Sequence, residues 1–87
     1  MTGAATQIFS REFDGDFSRL PSEIQAHIQR KIDGMGSRLA TFQHYRMVGS
    51  DQFRLRIGDY RVIYRFYVEK GEIYLIAIGH RREIYRR

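Results

Sequence analysis

The chain has no cysteine, which excludes disulfides, thiol nucleophiles and cysteine-ligated metals. Its three histidines, His27, His44 and His80, show no metal-ligand spacing, and its carboxylates are not paired as a two-metal nuclease requires. No metal and no cofactor are expected. No apolar run approaches the ~20 residues needed to span a bilayer, and the N-terminus lacks a basic segment followed by an apolar one. No membrane partner is expected either, and the default reading is a cytoplasmic protein. Lysine is scarce: of 15 basic residues only Lys31 and Lys70 are lysine. A surface that is basic only for solubility mixes in more lysine, whereas the planar fork of arginine favours bidentate contacts to phosphate or carboxylate.

What is present fits one domain spanning 1–87. A chain of 87 residues buries somewhat over roughly 60% of its unfolded surface, enough for a modest core. The charge is lopsided. Residues 1–43 hold five basic and five acidic side chains and residues 44–87 hold ten and five, so the net +5 lies in the C-terminal half. Nucleic acid is the first partner this suggests, against the plainer reading of a domain that is merely basic.

Residues 4–9 read as a short strand. Ser10 is placed to N-cap a brief helix whose Phe13, Phe17 and Leu20 form an apolar stripe. Pro21 suits the first position of a second helix, with Glu23 in its first turn and Ile24, Ile28 and Ile32 repeating every four residues. Arg30 and Lys31 fall near its end, and Gly34 and Gly36 are expected to stop it. Residues 37–50 show no clean period, and Gly49-Ser50-Asp51 is turn chemistry. Strands are predicted over 52–57, 60–68 and 73–79, followed by a short basic tail from His80 to Arg87. The last strand is nearly continuously apolar, which suits a central strand covered on both faces. The fold class is α+β, in the order β-α-α-β-β-β: a small antiparallel or mixed sheet packed by an N-terminal helical hairpin.

The strands at 52–57 and 60–68 carry the chemistry. Phe53, Leu55 and Ile57 alternate with Gln52, Arg54 and Arg56. After the Gly58-Asp59 corner, Tyr60, Val62, Tyr64 and Phe66 alternate with Arg61, Ile63 and Arg65. One face of such a hairpin buries while the other presents guanidiniums at fixed spacing, a surface suited to phosphate. If the last strand pairs with the second of these, Gln52, Arg54, Arg56, Arg61, His80, Arg81, Arg82 and Tyr85 converge at one end of the sheet. A metal-independent ribonuclease needs little more. RNA supplies its own 2′-OH nucleophile, and the protein must align it, stabilise charge on the phosphorane and assist two proton transfers. Duller readings stand beside these. Arg54 and Arg56 are solvated outer-face charges, Arg61 and Arg65 pair with Glu69 or Glu72, His80 is a structural hydrogen-bonder, and Tyr85 packs the tail. Tyr60, Tyr64 and the helix isoleucines read as core, and His27 and His44 as bystanders.

The run from Phe53 to Tyr64 (FRLRIGDYRVIY), followed by Ile78 to Tyr85 (IGHRREIY), resembles the RelE/ParE toxin superfamily of toxin–antitoxin modules. Phe9 to Phe13, Leu20-Pro21 and Met47 to Gly49 fit the same pattern, in the same order. The resemblance implies one of two activities. RelE-like members are ribosome-dependent mRNA interferases that enter the A site and cut the message by 2′-OH attack. ParE-like members share the fold, poison DNA gyrase, and lack the interferase's catalytic arginines and tyrosine. Under the first, Arg54 and Arg61 match basic positions of the site; Arg56, Arg65 and Arg82, with Gln52, are expected from the arginine face and the tail as further RNA or ribosome contacts. Arg81 matches the arginine assigned to charge stabilisation and leaving-group protonation. Tyr85 matches the tyrosine that stacks on the substrate base, two residues closer to Arg81 than in the best-known member. Gln52 stands where a lysine proposed as general base is often found, and His80, whose imidazole titrates near neutrality, is the candidate substitute. The resemblance also implies a cognate antitoxin that wraps the toxin and binds operator DNA through its own N-terminal part. A non-catalytic RNA-binding module is the remaining alternative.

Overall fold

A computed structural model describes residues 4–82. The chain begins with β1 (Thr6–Phe9) and turns directly into α1 (Arg11–Ser18). Ser10 caps that helix as its position predicts: its Oγ accepts from Phe13 N at 3.0 Å and donates to the Ile76 carbonyl at 2.6 Å. The same side chain therefore starts the helix and ties it to the sheet. Pro21 is the N-cap of α2 (Ser22–Gly36) rather than its first residue, because its ψ of 147° is extended. Gln25 reaches back from α2, and its Nε2 donates to the carbonyls of Phe17 and Leu20 at 3.0 and 2.9 Å. Gln25 thus ties α2 to carbonyls at and just past the end of α1. The second helix does not stop at Gly34. It runs to Gly36, whose carbonyl accepts from Ala5 N at 3.0 Å and whose missing Cβ would lie 3.5 Å from Ile73 Cδ1.

The sheet is completed by β2 (Tyr45–Arg46), β3 (Phe53–Ile57), β4 (Tyr60–Tyr67) and β5 (Glu72–His80), in the order β1-β5-β4-β3-β2. The helical hairpin carries the chain across the sheet, so β1 lies parallel to β5, while every other pair is antiparallel. β2 was not foreseen. Two residues carry no readable period, and β2 exists because Tyr45 and Arg46 pair with Arg54 and Phe53.

The long apolar run of β5 has a different cause from the one expected. β5 is internal, but the helices cover only one of its faces. Ile63 faces Ala77 and Tyr64 faces Leu75, which leaves Ile76 as an extra residue in a bulge. The bulge shifts the alternation by one, so Ile73, Leu75 and Ile78 all point to the helices and are at most 1% exposed. Ala77 and Ile76 then join Ile63 and Met47 in a small apolar patch on the uncovered face. The main core lies between the helices and the sheet and contains Phe13, Ile28, Ile32, Met35, Leu55, Val62 and Tyr64.

Candidate nucleic-acid interface

The uncovered face is set by strand register. Arg56 stands opposite Arg61, and Arg54 stands opposite Ile63, one pleat further along. Like charges on residues in direct register repel, and such pairs are disfavoured unless an anion comes between them. Gly58 takes φ +58° at the β3–β4 turn, a left-handed conformation that glycine adopts without penalty, and the chain reverses in two residues. Arg61 folds over this turn, where its Nη1 donates to the carbonyls of Gly58 and Tyr60 at 3.2 and 3.1 Å. Arg81 is pinned to the same place. Its backbone N–H donates to Asp59 O at 2.8 Å, and its Nε lies 4.0 Å from Asp59 Oδ1. Arg81 is thus held beside the β3–β4 turn, and Arg54, Arg56 and Arg61 share the face that leads away from it. A groove of about 940 Å³ leads from them around the outer edge of β3.

Other expected members lie elsewhere. His80 pairs with Tyr60, whose side is the helix side, and its ring meets the Tyr60 ring edge-on at 5.8 Å. The expected convergence of His80 with the arginines therefore does not occur, since strand alternation sends neighbouring residues to opposite faces. Its Nδ1 instead accepts from the backbone N–H of Arg82 at 3.3 Å. Arg65 shares the face of Arg61 but lies four residues along β4, about 13 Å away. It pairs with Asp51 at 3.2 Å rather than with Glu69 or Glu72. Gln52 precedes β3, with its carbonyl bound to Met47 N at 2.9 Å, and Arg82 is exposed just after β5. Tyr85 lies outside the described residues.

His44, read as a bystander, is a structural residue. Its Nε2 bonds the Leu39 carbonyl at 2.9 Å, and since a carbonyl only accepts, that nitrogen carries the proton. Nδ1 therefore accepts from Tyr64 Oη at 2.6 Å, and the ring stacks on Phe66 at 3.7 Å. Burial pushes the Tyr64 hydroxyl far above the usual phenol range, which keeps it a donor. Among the described residues no group of three or more His, Asp or Glu side chains is placed to hold a metal ion. None of their helices is long and apolar enough to cross a membrane.

Comparison with known proteins identifies the fold and the family. The profile of the ParE toxin of the type II toxin–antitoxin system parDE matches residues 8–85. Among curated proteins no sequence matches. Solved structures match in fold. The toxin–antitoxin complex RelBE2 of Mycobacterium tuberculosis aligns with a TM-score of 0.75 at 22% identity, covering 95% of this chain and 98% of that one. The isolated E. coli RelE toxin gives 0.75 at 18% identity, over 95% and 93% of the two chains. The archaeal RelE–RelB complex of Pyrococcus horikoshii gives 0.74 at 18% identity, over 93% and 99%. With nearly its whole length matched by one profile, the chain belongs to the ParE toxin family of type II toxin–antitoxin systems, within the RelE/ParE superfamily.

Proposed function

We propose that this toxin is a RelE-type mRNA interferase, a metal-independent endoribonuclease that cuts the message in the ribosomal A site. The observation that carries the reading is the arginine pair in register, Arg56 opposite Arg61, with Arg54 beside it on a face that neither α1 nor α2 covers. Stability alone disfavours that pairing, and a bound phosphate between the guanidiniums reverses its sign.

In the proposed reaction the 2′-oxygen attacks the adjacent phosphorus and loses its proton to solvent water, while the bond to the 5′-oxygen breaks and that oxygen takes a proton from water. The products are a 2′,3′-cyclic phosphate and a 5′-hydroxyl. Arg61 and Arg81 meet the charge that grows on the phosphorane oxygens, and Arg54 and Arg56 hold the flanking backbone. The turn carbonyls that bind Arg61 fix its guanidinium before substrate arrives, so little reorganisation is left for the transition state. None of the three histidines lies on this face. We therefore assign the protein's contribution to alignment and charge stabilisation, with His80 a positioning residue for the backbone that follows Arg81. Tyr85 is the proposed stacking group.

The partners proposed on this reading are the ribosome, mRNA and a cognate antitoxin that also binds operator DNA. The RelBE2 and P. horikoshii structures are themselves toxin–antitoxin complexes. Primer extension on a defined mRNA in a translating extract tests the function. Cuts phased with codons, lost with Arg81→Ala and lost without ribosomes, are expected. The matched profile carries the name of ParE, and that favours one second reading, inhibition of DNA gyrase. An intact message together with gyrase-dependent DNA breaks would establish it in place of the first.

A further inference from the structure

We propose that the groove between α2 and the outer edge of β3 is a second binding site, which holds a single-stranded RNA segment running on from the arginine face. The inference rests on the RNA-directed reading above and extends it to residues outside the cleavage site. β2 covers β3 only at Phe53 and Arg54, so among the described residues no strand lies beside β3 from Leu55 to Ile57. The groove opens there. Arg54, Arg56 and Arg61 line one wall, Arg30 and Lys31 of α2 together with Arg38 just past its C-cap line the other, and no carboxylate of the described residues lines the groove. Six cations around one channel are an electrostatic footprint for a polyanion. Tyr45, 55% exposed, and Phe42 also line it, and a flat ring beside a basic track is what an unpaired base stacks on.

The second observation is Gly34. It lies inside α2, where glycine weakens the helix relative to alanine. Packing does not require it, because a Cβ there would meet nothing within 4 Å. Gly36, two residues on, does have a packing reason, since its Cβ would lie against Ile73 and Ala5. Gly34 lines the groove one turn after Lys31 on the same side of the helix, and Arg38 lines it just past the helix end. A bare backbone at that point lets a ligand approach the helix closely. An acidic polypeptide is the other polyanion to weigh. The cationic wall of β3 continues into the face that holds the scissile phosphate, and the ring at Tyr45 suits a base, so RNA is favoured.

The test measures melting temperature and the anisotropy of a labelled, fully 2′-O-methylated single-stranded RNA that cannot be cleaved. Gly34→Ala is expected to raise the melting temperature by roughly 2–6 °C while weakening RNA binding several-fold. Gly15→Ala, inside α1 with equally open surroundings, is expected to raise the melting temperature similarly and leave RNA affinity unchanged. Replacing Arg30, Lys31 and Arg38 together by glutamine is expected to lower the slope of log K against log salt by about 2. Wild-type RNA affinity in Gly34→Ala, an unchanged salt slope in the triple variant, or no binding by the wild-type protein would each overturn the proposal. So would variants that lose a polyglutamate peptide while keeping RNA, which would assign the groove to an acidic polypeptide. Failure here is separable from failure of the cleavage reading, because Arg61→Ala strongly reduces cleavage on that reading while removing only one of the six groove cations.

Discussion

The two faces of this sheet come from the same strands and obey different rules. On the helix side, Leu55, Val62, Tyr64, Leu75 and Ile78 are nearly without solvent, and their one polar group, the Tyr64 hydroxyl, is satisfied by His44. On the other side, Arg54, Arg56 and Arg61 crowd one end, and Arg56 and Arg61 stand in direct register. The covered face looks chosen for stability. The open face gives some stability up, and that points to an anionic ligand. The contrast continues outside the sheet, where Gly36 of α2 is needed for packing and Gly34 is not.

Several substitutions sharpen this contrast or break it. The largest effect belongs to the covered face. Leu75→Ala is expected to cost about 2–5 kcal/mol, read as a lower urea midpoint, because it opens a cavity beside Ile73, Ile78 and Phe13. Arg61→Ala is expected to reduce cleavage by about 10²–10³-fold with the melting temperature unchanged, and a matching loss of stability would make Arg61 structural. Tyr64→Phe is expected to cost about 1–3 kcal/mol, since it removes the donor to His44 Nδ1 and leaves that nitrogen unpaired. Arg56→Gln should run the other way, raising stability by about 0.2–1 kcal/mol at low salt while weakening RNA binding. A gain that survives high salt would show that repulsion between Arg56 and Arg61 is not its source.

The smallest effect is a matter of pH at the junction of β1 and α2. Gln7 and Gln29 donate to Asp33 Oδ1 at 2.7 and 2.9 Å, and these hydrogen bonds, that of Gln7 first, hold its carboxyl below the usual range. A depressed folded value means that the contribution is present above the unfolded value, about 3.9, and is lost as pH falls through the folded one. The stability difference between the wild-type protein and Asp33→Asn should therefore be constant near neutrality and shrink below about pH 4. A difference that stays flat into acid would remove the linkage.

Much of this architecture was legible in the sequence for identifiable reasons. The Ser10 cap and the alternation around Gly58-Asp59 are local signals, and local sterics realise them. The site was legible in part. Arg54, Arg56 and Arg61 follow from strand alternation, whereas the helix-side position of His80 depends on register with Tyr60 that no local pattern encodes. Arg65 was grouped with the others by alternation alone, but its distance along β4 and its pairing with Asp51 separate it. The α2 wall of the groove was missed, although Arg30, Lys31 and Gly34 lie at helical spacing on one side, because nothing in that spacing says which strand edge it faces.

The sequence by itself determined the α+β class, the identity of the buried face of β3 and β4, and the arginine-rich character of the opposite one. Each of these depends on period and composition, which act within a few residues of chain. Only the tertiary structure decided that Ile76 bulges, that His44 ties a loop to the core, and that α2 and the open edge of β3 make one groove. Those outcomes depend on pairings between residues far apart in sequence, where packing and hydrogen-bond satisfaction across the whole domain outweigh any local preference.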